Sequence, residues 1–289
     1  MTIHEGRKLL TGSLTGIYND SEAENIADWV IEYLTGLDKK KRINDSNIDL
    51  SLSQAEQLQK AAVRLSKHEP VQYVLNESWF CGFKFYVDKN VLIPRPETEE
   101  LVEWIISNLK FPVQKLNVLD IGSGSGCIPI SLKRKIRIAE VWSCDISDAA
   151  LSVARRNAET LGAEINFLHL DFLNIGERNT LPQFDIIVSN PPYVLQKNKN
   201  QMHPNVLDYE PHTALFVPDN DPLIFYKAIV DFGKKHLTAK GSIFLEAHED
   251  YGTDVKNLFL SEGYLSIEIK KDMQGKERMI KIQSGVNSK

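Results

Sequence analysis

The sequence has no long apolar run. Nothing in it approaches the ~20 consecutive apolar residues of a membrane-spanning helix, so no membrane association of that kind is expected. Cysteine is scarce: Cys81, Cys127 and Cys144 are scattered and odd in number. Such a set argues against a disulfide framework and a zinc site, and for a reducing, cytoplasmic compartment. The first residues, Met1 to Arg7, lack the apolar core of a secretion signal. An excess of positive charge is missing too. The formal net charge is −5, which argues against a protein that coats nucleic acid by charge alone, and no stable nucleic-acid partner is expected. There is no internal repeat and no low-complexity tract. What is present is ordinary: 42% hydrophobic and 25% charged residues suit a soluble globular chain of one large domain, or a small and a medium one.

The first third reads as helical. Ser21 and Glu24 fit a capping box, and Ile26, Trp29, Val30, Tyr33 and Leu34 follow at helix spacing. Ser53 and Glu56 repeat the pattern before Leu58, Ala61, Ala62 and Leu65. Between them, Asp38-Lys39-Lys40-Lys41-Arg42 reads as a solvated turn, with contact to RNA or an acidic partner as the other reading. A helical unit this small buries little core by itself. From Trp79 the period becomes two. Phe83, Phe85 and Val87 predict one strand and Val91-Leu92-Ile93 another, with Asp88-Lys89-Asn90 as the turn. Pro94 to Glu100 then opens a helix carrying Leu101, Val102, Ile105 and Ile106, with acids in its first turn as the helix dipole favours. Arg95, held between two prolines, is a substrate-binding candidate. These shifts divide the chain into a helical domain (1–76), a hairpin linker (77–94) and a third domain (95–289).

The third domain alternates strands and helices, the pattern of a parallel sheet covered on both faces. Strands are expected at 117–121, 140–145, 166–170, 184–189 and 242–246. Helices are expected at 127–134, 149–161, 223–236 and 251–262. Two further strands, 265–270 and 278–283, flank Gln274-Gly275 and predict an antiparallel edge hairpin.

Chemistry-bearing residues fall at the ends of these strands. Asp120-Ile121-Gly122-Ser123-Gly124-Ser125-Gly126 follows the first and opens a helix. Its glycines let a ligand approach the backbone. The spacing is Gly-x-Gly-x-Gly, not the dinucleotide Gly-x-Gly-x-x-Gly, and a pyrophosphate would not favour Asp120. Asp145 ends the second strand, where a carboxylate can accept both hydroxyls of a ribose. Asp171-Phe172 closes the third and can bind and stack an adenine. Each acid could instead be a helix N-cap. Three at successive strand ends favour one nucleoside pocket. The fourth strand, Phe184 to Ser189, stops at Asn190-Pro191-Pro192-Tyr193, because proline cannot donate to a ladder and restricts the residue before it. Asn190 and Pro191 are thus held at a strand's carboxyl end, where open α/β sheets bind ligands.

These motifs, in this order, resemble the Rossmann-like methyltransferases that use S-adenosylmethionine. With Asn190-Pro191-Pro192-Tyr193 they resemble the HemK/PrmC family of peptide chain release factor glutamine methyltransferases. The resemblance runs nearly the whole chain, through Glu69 to Tyr73, Leu92 to Glu99, Glu210-Pro211, Phe244 to Glu246, and Lys271-Asp272 before Gly275 and Arg278. It departs at Pro218 to Pro222, where a glycine pair is usual, and at Ala247 to Asp250. The resemblance implies an S-adenosyl-L-methionine cofactor, with Asp120, Gly122, Ser123, Gly124, Ser125, Gly126, Asp145, Asp171, Phe172 and Asn190 around it. It implies Asn190, Pro191 and Tyr193 as catalytic residues, with Pro192 and Arg95 beside them at the substrate, and release factors as partners of a monomeric enzyme. No metal is implied, because the sulfonium is already an activated methyl donor. The Asn190 side-chain oxygen and the Pro191 carbonyl would each accept one N–H of a glutamine amide, Tyr193 would pack on that amide, and the loop 194–222 would act as a lid. A nucleic-acid adenine methyltransferase and a non-catalytic cofactor-binding assembly module are the alternatives. The first lacks an evident basic groove and recognition domain; the second would not need Asn190.

Overall fold

A computed structural model describes residues 1–44, 47–109 and 115–284. The remaining residues of the three expected domains, at 45–46, 110–114 and 285–289, lie outside the described residues. The chain forms two compact units. The first takes in Met1–Glu77 together with His203–Tyr209, and the second Ser78–Met202 and Glu210–Lys289.

The first unit is helical. Its helices are Ile3–Leu14, Asp20–Thr35, Lys39–Asn44, Leu52–Leu65 and Val71–Leu75. Thr2 and Glu5 form a reciprocal capping box, as do Ser51 and Gln54, and Asn19 accepts from the Glu22 amide. The boxes expected at Ser21–Glu24 and Ser53–Glu56 are therefore displaced two residues along the chain. The true caps are where the backbone is still extended, at Asn19 (ψ 160) and Ser51 (ψ 161). Leu10, Leu14, Ala27, Val30, Ile31, Leu58 and Leu65 are fully buried between the helices, whereas Tyr33 of the expected stripe is exposed. The basic run is not simply a solvated turn. Asp38 caps the Lys41 amide, and Arg42 is buried, donating to Glu32 and to the Leu37 carbonyl. The segment 203–209 belongs to this unit through Tyr209, whose hydroxyl donates to the Lys67 carbonyl at 2.6 Å, and through the edge of His203 against His68.

The second unit begins with a hairpin of β1 (Ser78–Phe80) and β2 (Phe83–Phe85). Cys81 and Gly82 make its turn with φ of 51° and 81°, the left-handed pair that matches the twist of two-residue hairpins. The hairpin expected around Asp88-Lys89-Asn90 does not form. Val91–Ile93 is not a strand, and Asp88 instead closes a local turn by accepting from the Asn90 amide.

The main sheet contains β3 (Leu116–Ile121), β4 (Ala139–Asp145), β5 (Asn166–His169), β6 (Phe184–Ser189), β9 (Leu237–Glu246), β10 (Ser266–Lys271) and β11 (Glu277–Gln283). A separate two-stranded pair joins β7 (Val194–Leu195) to β8 (Phe216–Val217). The main order is β10-β11-β9-β6-β3-β4-β5. The five strands from β9 to β5 run parallel, and β11 and β10 are antiparallel at one edge. The strand order reverses at β3, which is flanked by β4 and β6. Two apolar clusters cover the faces, and the period of two sorts the residues between them. Leu119, Ile121, Ile187, Ile243 and Leu245 go to one cluster. Val118, Ile186, Val188 and Phe244 go to the other, where Phe244 meets the edge of Trp104.

Asn157, in the helix Asp148–Thr160, ties the Gly-rich turn to the hairpin. Its side chain accepts from the Tyr86 amide at 2.7 Å and donates to the carbonyls of Tyr86 and Ser125, both at 2.9 Å. An Asn in mid-helix has poor propensity, so tertiary pairing accounts for it. Asn157→Ala orphans backbone groups of Tyr86 and Ser125, each worth about 1–3 kcal/mol when buried. Urea denaturation should show a loss of about 3 kcal/mol with an unchanged m-value; a loss under about 0.5 kcal/mol would refute this link.

Candidate active site

The parallel strands end on a single edge of the sheet, and a cavity of about 410 Å³ opens there. Its lining brings together Arg95, Gly122, Ser123, Gly124, Ser125, Asp145, Asp171, Phe172, Asn190, Pro191 and Pro192. Eleven of the fourteen residues singled out from the sequence therefore share one cavity. Asp120, Gly126 and Tyr193 do not line it.

The Gly-rich turn is shaped by left-handed backbone at Gly122, Gly124 and Gly126, with φ of 89°, 50° and 80°. The Cys144 carbonyl pins it by accepting from the amides of Gly122 and Ser123. A Cβ built on Gly122 or Gly124 meets nothing within 4 Å, so both face open space. Gly126 has another reason to be glycine. It caps the helix Cys127–Lys135, and a Cβ there would come within 2.8 Å of Ile130 and 3.2 Å of Ala154.

None of the three strand-end acids is a helix cap; that task falls to Gly126, Ser147 and Asn174. Asp145 accepts from the Gly124 amide at one oxygen and the Ser147 amide at the other, both at 2.9 Å. Each carboxylate oxygen has a second lone pair to offer, so two acceptor sites remain on Asp145. Asp171 accepts from the Leu173 amide and leads into Phe172, beside Leu170, Ile146 and Leu173 in the lining. An acceptor pair next to an apolar slot and an open glycine turn fits a nucleoside.

Asp120 lies behind this turn. It is fully buried, and the Ser143 hydroxyl donates to it at 2.6 Å while sharing a short contact with the Ser123 hydroxyl. Its other oxygen has no hydrogen-bond partner among the described residues. Burial pushes its carboxyl up to about 8, helped by the charge of Asp145 and opposed by the Ser143 hydrogen bond. Cys127, which lines the cavity, is likewise pushed up by burial, to about 12, and stays a thiol.

Asn190, also in the lining, follows β6. Its amide nitrogen donates to the Thr98 hydroxyl at 3.0 Å, and Thr98 donates to Glu246 at 2.6 Å. The Tyr193 hydroxyl donates to the other Glu246 oxygen at 3.2 Å. Glu246 ends β9 in full burial, which raises its pKa, while the bonds from Thr98 and Tyr193 and the charge of Arg278 oppose the rise. Arg95 pairs with Glu210 at 2.5 Å, and Glu210 also accepts from the Ile93 amide. Thr98 and Glu246 fall in stretches that carry the family resemblance but had no site role there, and Ser143 and Asn157 had none either. Glu246 carried a usable signal: a polar residue ending a buried apolar strand, as Asp120, Asp145 and Asn190 do. His248, Glu249 and Asp250 are engaged locally, Glu249 with Lys276 at 2.8 Å and Asp250 with His248. Among the described residues no three metal-ligating side chains are gathered.

The sheet, with its antiparallel edge pair and its strand-end cavity, defines a Rossmann-like methyltransferase. A methyltransferase from Pyrococcus furiosus has the same fold, with a TM-score of 0.51 over 71% of this chain and 91% of that one at 18% identity. Residues 99–208 match the family model of the Methyltransferase small domain, and residues 7–75 that of the PrmC N-terminal domain. Release factor glutamine methyltransferases from Flavobacterium psychrophilum and Bacteroides thetaiotaomicron are each 40% identical to the chain. They match over 98% and 93% of it, and over 99% and 95% of their own lengths. The chain belongs to the HemK/PrmC family of release factor glutamine methyltransferases.

The buried Asp120 sets a pH dependence of stability. The folded carboxyl, at about 8 against an ordinary 3.8, keeps a proton that the unfolded chain has released. Its contribution is therefore fully present below the ordinary value and is lost as pH rises through about 8. From about pH 5 to about pH 9 the wild type should lose stability relative to Asp120→Asn, measured by denaturant unfolding at each pH. Parallel curves for the two proteins would overturn this.

Proposed function

We propose that the chain transfers the methyl group of S-adenosyl-L-methionine to the side-chain amide nitrogen of a glutamine in a glycine-flanked loop of a peptide chain release factor, leaving S-adenosyl-L-homocysteine. The observation that carries this reading is Asn190-Pro191, rigid at a strand end, within the same cavity as the Asp145 acceptor and the open glycine turn. Family membership supports the release factor as substrate.

When bound, the cofactor supplies a sulfonium-activated methyl group. Gly122 and Gly124 give it room, Asp145 offers its two remaining acceptor sites to the ribose hydroxyls, and the slot at Asp171-Phe172 takes the adenine. The acceptor nitrogen is a poor nucleophile, because its lone pair is delocalised into the carbonyl. It needs in-line placement and stabilisation of the positive charge that develops on it. The Asn190 side-chain oxygen and the Pro191 carbonyl each accept one of its N–H groups. The prolines hold these two acceptors still, so little reorganisation is needed at the moment of reaction. The methylated nitrogen is then acidic enough to lose its proton to water. Tyr193, whose hydroxyl donates to Glu246, acts here as a support of the site. Arg95 lines the substrate side and is held there by Glu210. Among its described residues the helical unit has no evident catalytic group, and docking of the large protein substrate is the work proposed for it.

Asn190→Ala should slow turnover by ~100-fold or more, with affinity for S-adenosylhomocysteine nearly intact by calorimetry. Near-normal turnover at saturating substrate would sink the role of Asn190. Asp145→Ala should weaken cofactor affinity by roughly 1.5–3 kcal/mol for each charge-assisted bond lost; unchanged affinity would remove Asp145 from the ribose. The substrate itself is tested by mass spectrometry of release factor after incubation with enzyme and cofactor. One added methyl on the loop glutamine, lost when that residue is replaced, is expected. Efficient methylation of DNA adenine with release factor untouched would overturn the reading.

A further inference from the structure

Asn190 has two chemically opposite faces. Its side-chain oxygen accepts hydrogen bonds and its nitrogen donates them, yet the two ends have nearly the same shape. An acceptor role in the cavity requires one orientation and is lost in the other. Shape does little to choose between them, so a hydrogen-bond partner must.

That partner is Thr98, in the first turn of the helix Pro96–Ser107. The hydroxyl of Thr98 has a single proton. It is donated to a carboxylate oxygen of Glu246, 2.6 Å away. Both residues are almost fully buried, at 3% and 1% exposure, with Thr98 at the wall of the cavity. The Thr98 oxygen is left with lone pairs alone. Towards Asn190 it can act only as an acceptor, and the group 3.0 Å from it must be the amide NH2. The Asn190 oxygen is then the end not held by Thr98. Polarity thus runs in one direction, from carboxylate to hydroxyl to amide. It links three elements separated by 92 and 148 residues in sequence. Tyr193 donates to the second Glu246 oxygen, and the Tyr226 hydroxyl donates to the Glu246 backbone carbonyl, so the start of the chain is itself fixed.

We propose that Thr98 and Glu246 are positioning residues that lock the orientation of the Asn190 side-chain amide, so that an acceptor oxygen and not an N–H donor meets the substrate amide. This rests on the acceptor role given to Asn190 under Proposed function. A flipped Asn190 would set N–H against N–H. The substrate would lose one of its two acceptors, while the cofactor side of the cavity would be untouched.

The experiment compares the full-length wild type with Thr98→Val, Thr98→Ser, Glu246→Gln and the double variant of Thr98→Val with Glu246→Gln. Thr98→Val keeps the shape and removes the hydroxyl. It should lower kcat about 10-fold or more, with little change in KM and none in affinity for S-adenosylhomocysteine. Thr98→Ser restores the hydroxyl and should return kcat to within about 3-fold of the wild type. Glu246→Gln introduces a donor next to Thr98, which frees the direction of the chain, so kcat should fall here too. The double variant should be no slower than the slower single one, since both act along one path. A purely structural role would move stability or KM and would not be rescued by serine. A readout independent of methylation is the NMR signal of the Asn190 side-chain NH2 in protein without substrate. It should shift in Thr98→Val and return in Thr98→Ser. If Thr98→Val does not fold, the Glu246→Gln variant carries the same comparison. Unchanged kcat and an unchanged NH2 signal in the variants would overturn the lock. A wild type that leaves release factor unmethylated would overturn the substrate reading instead, and the NMR comparison would still decide the lock.

Discussion

Parallel pairing places the carboxyl ends of β3, β4, β5, β6 and β9 along a single edge of the sheet. Just beyond each end the backbone leaves the ladder, and its amides must find other partners. Asp145 takes the amides of Gly124 and Ser147, Asp171 that of Leu173, and the Cys144 carbonyl those of Gly122 and Ser123. The cavity is what these repairs enclose. The strand-end acids therefore serve the fold whether or not a ligand is bound, and their remaining lone pairs are what a ligand can use.

Three further carboxyl groups are buried around the cavity. Asp120, Glu210 and Glu246 are buried carboxyls, each raised by the loss of water and each steadied differently. Asp120 has a serine hydroxyl, Glu210 an arginine and a backbone amide, and Glu246 two hydroxyls. Buried charge is a poor source of stability, since desolvation offsets most of the attraction. Its gain is direction: a carboxylate fixes which way its neighbours point. Around Glu246 this reaches Thr98 and, through it, Asn190.

The backbone at the hairpin illustrates a different kind of decision. Both Cys81-Gly82 and Asp88-Lys89-Asn90 look like turn material. Only the first has two residues with positive φ between strands whose side chains pair across, Phe80 opposite Phe83. Asn157 then binds the residue after the hairpin to the Gly-rich turn, so that local turn chemistry and the ligand cavity become mechanically connected.

The sequence by itself determined the order and kind of the seven strands of the main sheet and of the long helices beside them, because buried strands of period two and capped helices leave local marks, whereas most of the short strands and helices of the second unit left none. It also determined which residues meet at the sheet edge, since Asp145, Asp171 and Asn190 each end a readable apolar run. Helix starts in the first unit were legible only to within two residues: several polar residues there could cap, and the backbone angle chooses among them. Only the tertiary structure decided that Asp120 is buried beside Ser143, that the Tyr193 hydroxyl goes to Glu246 and that Arg95 is held by Glu210. It alone showed that Thr98 and Glu246 reach Asn190. The physical reason is range. Periodicity and capping act within a few residues, whereas a hydrogen bond between side chains 92 or 148 positions apart exists only once the sheet has brought them together.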